Sequence, residues 1–208
     1  MLKKIIAFTM AEVLVVIGLL GVVGALTVPN LKKSYESKAN AAKARAAFMK
    51  LDSALRQVDL NAVLNGKTTY EARSLAVYNA MKDYLKLTVS CGTISDSNYC
   101  FTKNSITDSI GFSNCYLNPI MDKNDCSSGI LNDGTEFAIC ISSQYGDENV
   151  RGINNAAGRG AIYIDVDGAN KGSTTRGQDI YVFGVGEEGL FLINRGSEVA
   201  PEEALFAE

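Results

Sequence analysis

Residues 7–30, AFTMAEVLVVIGLLGVVGALTVPN, form an almost unbroken apolar run with one carboxylate, Glu12, near its front. As a helix rising about 1.5 Å per residue, the stretch from Phe8 to Val28 reaches about 31 Å, the thickness of a bilayer's hydrocarbon core. A charge at the centre of that core costs about 2.5–3.5 kcal/mol, so a carboxylate inside such a segment demands a partner. Gly18, Gly21 and Gly24 recur every third residue. Small residues at that spacing allow close helix contact in membranes, and they also fit ordinary glycine tolerance in a membrane helix. Each weakens the helix by about 1 kcal/mol relative to Ala, and Pro29 removes a backbone donor.

Three readings of the segment compete. The plainest is a transmembrane anchor whose Glu12 sits near the headgroups. A secretory signal would use Lys3 and Lys4 as its basic region and the small residues Val23-Gly24-Ala25 before a cut at Leu26, but its apolar region should be uncharged. The third reading rests on coinciding positions. A short basic stretch ends at Ala7, Phe8 and Thr9 follow, Glu12 is fifth counting from Phe8, and Pro29 closes the apolar run. This arrangement resembles the N-terminus of type IV prepilins and type II secretion pseudopilins. It departs from the family pattern at Ala7, where Gly is usual, and at Met10 and Ala11, where large aliphatics are usual.

The resemblance implies a history for the segment. A prepilin peptidase would cut between Ala7 and Phe8 on the cytoplasmic side, and the new Phe8 amine would be N-methylated. Glu12 of one subunit would pair with the Phe8 ammonium of its neighbour, an ion pair that forms only in the correct stagger. By the same resemblance, residues 21–29, from Gly21 to Pro29, would lose helicity on assembly. The partners implied are copies of the chain or other pilins in a helical filament, the inner-membrane assembly machinery and membrane lipid. The location implied is the cytoplasmic membrane, single-pass, with the N-terminus inside. Charge alone does not decide the orientation, because Lys3 and Lys4 precede the run while Lys32, Lys33 and Lys38 follow it.

Composition sets the remaining bounds. With 208 residues and 47% hydrophobic content, much of it in one segment, the chain has room for an anchor and one modest globular domain. A net charge of −3 gives no general attraction to nucleic acid. Beyond Pro29, Ala44, Phe48, Leu51, Leu55, Val58 and Ala62 recur at alternating four- and three-residue spacing between charged residues. That pattern predicts an amphipathic continuation of the same helix over residues 31–66, ended by Asn65-Gly66. The expected division is a leader over 1–7, an assembly helix over 8–30, the continuation over 31–66 and a pilin-like head over 67–208.

In the head, apolar periodicity predicts a second helix from Tyr70 to Leu87. Residues 90–132, rich in Ser, Asn, Asp, Thr and Gly, read as a loop-rich insert. Strand-like runs follow at Thr135–Ile141, Ala161–Val166, Asp179–Val185 and Leu190–Asn194. Helices first and strands later predict an α+β fold, a long helix packed on an antiparallel sheet. The tail from Ser197, with Glu198, Glu202, Glu203 and Glu208, reads as solvated.

Cys91, Cys100, Cys115 and Cys126 lie in or beside the insert, and Cys140 falls in a strand. Pairing neighbours gives Cys91–Cys100 and Cys115–Cys126, the latter worth about 3 kcal/mol in the chain-entropy model, with Cys140 left as a buried thiol. Connectivity stays open at this level. Disulfides agree with an extracytoplasmic domain. A zinc site is the rival, but the chain has no His and no C-x-x-C pair.

Asp165, Asp167 and Asn170, followed by Asp179, could gather oxygen ligands for Ca²⁺ on a loop between strands, as the resemblance to calcium-binding pseudopilins also implies. The competing reading is an Asp-Gly turn, since no terminal bidentate Glu completes the pattern. Without His, neither a Ser-His nor a Cys-His nucleophile can be built, so an enzyme is not expected. Gly184-Val185-Gly186-Glu187-Glu188-Gly189 matches GxGxxG, yet a strand follows it and two glutamates would repel a pyrophosphate, so a hairpin turn is expected. Two function classes remain. One is a filament subunit; the other is a membrane-tethered or secreted binding domain, with calcium as a candidate ligand, that never polymerises.

Overall fold

The computed structural model describes residues 9–93, 125–142, 159–168, 177–193 and 201–207. The chain divides into two compact units, residues 1–39 and 40–208. Helix α1, Met10–Leu55, runs without interruption through Gly18, Gly21, Gly24 and Pro29. Its start is set by a reciprocal capping box. The Thr9 N–H and hydroxyl donate to Glu12 Oε2 at 2.8 and 2.9 Å, and the Glu12 N–H donates to Thr9 Oγ1 at 3.3 Å.

In the second unit the stretch of α1 ending at Leu55 buries Ala44, Ala47, Leu51, Ala54 and Leu55. The helix does not reach Gly66 as the periodicity predicts. It tightens at Leu55, where the Gln57 and Val58 N–H groups bond three residues back to Ala54 and Leu55. A separate helix α2, Leu60–Leu64, then starts on Asp59, whose carboxylate accepts the Ala62 N–H. A side chain able to cap a new N-terminus competes with helix continuation. The new register buries Leu60 and Leu64 and leaves Ala62 exposed. Helix α3, Tyr70–Lys82, is capped by Thr69 and ends before the predicted Leu87, which opens a strand instead.

The head is α+β, as expected. Among the described residues six strands form one antiparallel sheet in chain order: β1 Leu87–Thr93, β2 Ser127–Leu131, β3 Glu136–Ile141, β4 Gly160–Asp165, β5 Ile180–Gly186 and β6 Gly189–Leu192. The four runs read from apolar residues are β3 to β6. The sequence missed β1 and β2, which lie at either end of the predicted insert. Ser127, Ser128 and Gly129 of β2 are buried but carry no apolar signal, and Gly129 admits the Tyr78 hydroxyl and Phe137 ring at its Cα. Phe137, Ile139, Ile141, Ile162, Ile164, Tyr181, Phe183 and Val185 join the α1 stripe in one core. The alternate residues Ala138, Cys140, Ala161, Tyr163 and Val182 are buried too, on the other face.

The disulfide joins Cys126 to Cys140, not Cys115 to Cys126. Register explains the correction: Ser127 pairs with Ile139, so Cys126 falls opposite Cys140, with Cα atoms 4.4 Å apart. That is the separation of a directly opposed pair between hydrogen-bonded rungs. Cys140 is therefore buried and bonded rather than a free thiol. Cys91 is also disulfide-bonded. Cys100 and Cys115, on which the other expected pairings rest, lie outside the described residues.

The tail is not solvated where it is described. Pro201–Leu205 forms a 3-10 helix, Leu205 is buried, and Phe206 meets the Phe48 and Phe183 rings edge to face at centroid distances of 4.9 and 6.4 Å. Glu202 is wholly buried and accepts the Val182 N–H at 2.9 Å. Strand β6 ends opposite Phe183, so the carboxylate takes up the next backbone donor along β5. Glu198 and Glu208 lie outside the described residues.

Candidate functional site

Three places could carry function: the front of α1, the carboxylate-rich end of β4 and the β5–β6 hairpin. In the first, Met10–Val28 has a mean hydropathy of 2.4 and none of it is buried. The segment is long and apolar enough to cross a membrane, and a signal sequence passes the same test. Its one hydroxyl in mid-helix, on Thr27, is satisfied within the helix by the Val23 carbonyl at 2.9 Å. Glu12 is the one ionisable side chain in the segment. Thr9 holds its Oε2, while its Oε1 has no hydrogen bond among the described residues. The arrangement presents half a carboxylate, in a fixed rotamer, at the end of an apolar rod. In sequence Glu12 stood out for its pairing role, and the capping box that the Thr-x-x-Glu spacing signals was missed. Ala7 and Phe8, the expected cleavage and methylation positions, lie outside the described residues.

At the end of β4, Asp165 pairs in register with Glu136 of β3. Its Oδ1 accepts the Asp167 and Gly168 N–H groups at 3.3 and 3.0 Å, an Asx turn completed by Gly168 at φ 84°. Burial, then the Asp167 carboxyl and the Glu136 charge, push Asp165 up to about 7 against the backbone donation from Gly168. Of the expected calcium ligands, the structure brings Asp165 and Asp167 together and adds Glu136, which only the strand register could have revealed. The Asp179 carbonyl accepts the Val166 N–H, and the Asp179 charge bears on Tyr181. Burial and the Asp179 and Glu202 charges raise that phenol to about 12. Asn170 lies outside the described residues. Among those residues no three Asp, Glu, Cys or His side chains converge as metal ligands, and one Asp165 oxygen is already spent on backbone donors.

The GxGxxG stretch is the β5–β6 hairpin, turning at Glu187-Glu188, with Gly186 opposite Gly189. Glycine is required at two points. The Phe191 ring lies on Gly184, and Gly189 adopts φ 121°. Glu187 is held by Arg159, whose Nη2 also donates to Asn61 Oδ1 at 2.8 Å. The Arg159 bond, with one donated by Asn61 Nδ2 to Glu187 Oε1 at 3.4 Å, lowers the Glu187 carboxyl from its ordinary value. Asp52 of α1 accepts the Leu190 N–H at 2.7 Å and pairs with Arg56. The hairpin is thus pinned to α1 and α2. Arg159 gave no sequence signal, because its partners come from α2 and the turn.

Comparison of the chain with family models, with curated proteins and with solved structures found no match in any of the three.

Proposed function

We propose that this chain is a structural subunit of a filament, of the type IV pilin or type II secretion pseudopilin class, held in the membrane and assembled through the front of α1. The observation that carries the reading is Met10–Val28, an apolar helix with no cover among the described residues and one carboxylate at its front. The order Ala7-Phe8-Thr9 before Glu12 and the α+β head add to it.

In this reading a peptidase cuts between Ala7 and Phe8, and the Phe8 amine is methylated and remains cationic. The amine of one subunit meets Glu12 of the next. Each charge is costly in hydrocarbon alone, and the pair neutralises both only at one stagger. Thr9 fixes the Glu12 rotamer through Oε2 and leaves Oε1 for the ammonium. N-terminal mass spectrometry of the native protein tests the reading, with a methylated Phe8 as the expected start. Glu12→Gln should insert in the membrane and fail to assemble. A retained Met1, a start at Leu26, or normal assembly of Glu12→Gln would each overturn it.

A further inference from the structure

Beyond the span, α1 carries a second kind of surface. Leu31 and Tyr35 are 69% and 76% exposed, and Lys38 is exposed as well. At 3.6 residues per turn, positions 31, 35 and 38 fall on one face of the helix. Lys32 flanks that face and makes a loose pair with Glu36 at 3.7 Å. Glu36 is the one acid among residues 31–39, against Lys32, Lys33 and Lys38, in a chain whose net charge is −3. We infer that this face docks on anionic phospholipid headgroups at the membrane surface where the span emerges.

The charge is complementary, and the face continues the span. Tyr35 lies about 10 Å and Lys38 about 15 Å along the axis from Val28. Helical side chains lean towards the N-terminus, here back towards the bilayer, and a lysine stem can lie along apolar surface while its ammonium reaches the headgroup oxygens. Leu31 then sits at the hydrocarbon margin, Tyr35 in the interfacial layer where its amphipathic ring is favoured, and Lys38 at the outer edge. The lysines beyond the span, which confuse the orientation by charge, thereby acquire a role of their own. The inference rests on the membrane reading of Met10–Val28 and not on polymerisation.

Native mass spectrometry of the full chain in mixed micelles of equal phosphatidylglycerol and phosphatidylcholine tests it, beside a polarity-sensitive fluorophore on Leu20→Cys. The expected result is retention of phosphatidylglycerol over phosphatidylcholine. Enrichment should fall about fivefold in Lys38→Gln, further in the Lys32→Gln, Lys38→Gln double variant, and vanish at about 0.5 M salt. A Leu20 probe in hydrocarbon with no preference between the lipids, or a preference that survives the double variant, would overturn the docking and leave the span intact. A Leu20 probe in water would overturn the membrane reading and the docking with it.

Discussion

Two stretches of one helix are apolar for opposite reasons. From Met10 to Val28 almost every side chain is apolar and none is covered. From Asn40 to Leu55 one stripe, Ala44, Ala47, Leu51, Ala54 and Leu55, is buried, while charged residues and Met49 stay on the outer side. In the second stretch the pattern tells the helix which side to turn towards its own sheet. In the first there is no side to turn, and among the described residues nothing covers it. Period, more than total hydrophobicity, separates a surface that a domain uses itself from one that it offers.

Substitutions can break that comparison. Phe183→Ala, beneath the α1 stripe, should destabilise the head by about 3–5 kcal/mol, whereas Leu20→Ala should leave its unfolding unchanged. Chemical denaturation of the full chain in detergent checks both, and a comparable loss in Leu20→Ala would mean that the front is not independent. A smaller effect tests the polar side of the head. Asp165 is raised to about 7, so between the unfolded value near 4 and pH 7 the folded state binds the extra proton. The stability that this proton contributes is complete below about pH 4 and is lost as pH rises through 7. Asp165→Asn keeps the acceptor for Asp167 and Gly168 and removes the charge. It should gain on the wild type by on the order of 2 kcal/mol from pH 5 to pH 8, and parallel pH profiles would contradict this. Of similar size is Glu202→Ala, which leaves the buried Val182 N–H unpaired and should cost about 1–3 kcal/mol, while the melting of residues 10–28 stays unchanged by circular dichroism.

What could be read from the residues follows the same division. Continuous apolar runs gave β3, β4 and β5, which are buried on both faces, and β6, whose Phe191 and Leu192 are half-buried. Strand β2 stayed hidden because its buried residues are Ser127, Ser128 and Gly129, which pack by smallness. The break after Leu55 was hidden because the decisive group, the Asp59 carboxylate, acts on one amide and has no period. Cysteine spacing favoured neighbours in sequence, whereas the β2–β3 register selected Cys126 and Cys140. At the front of α1, Glu12 stood out as a lone charge in apolar surroundings. Glu136 and Arg159 did not, because each is given its partners by elements remote in sequence. Local chemistry was legible, and chemistry made by pairing was not.

The Cys126–Cys140 bond has a mechanical consequence. Asn132–Gly134 closes one end of the β2–β3 hairpin and the sulfurs close the other, which makes a covalent ring in the middle of the head. Tension entering along the backbone at either cysteine crosses through sulfur and leaves the hairpin between them slack. In the oxidised chain this loop cannot be unravelled by pulling, so under load the head yields elsewhere first.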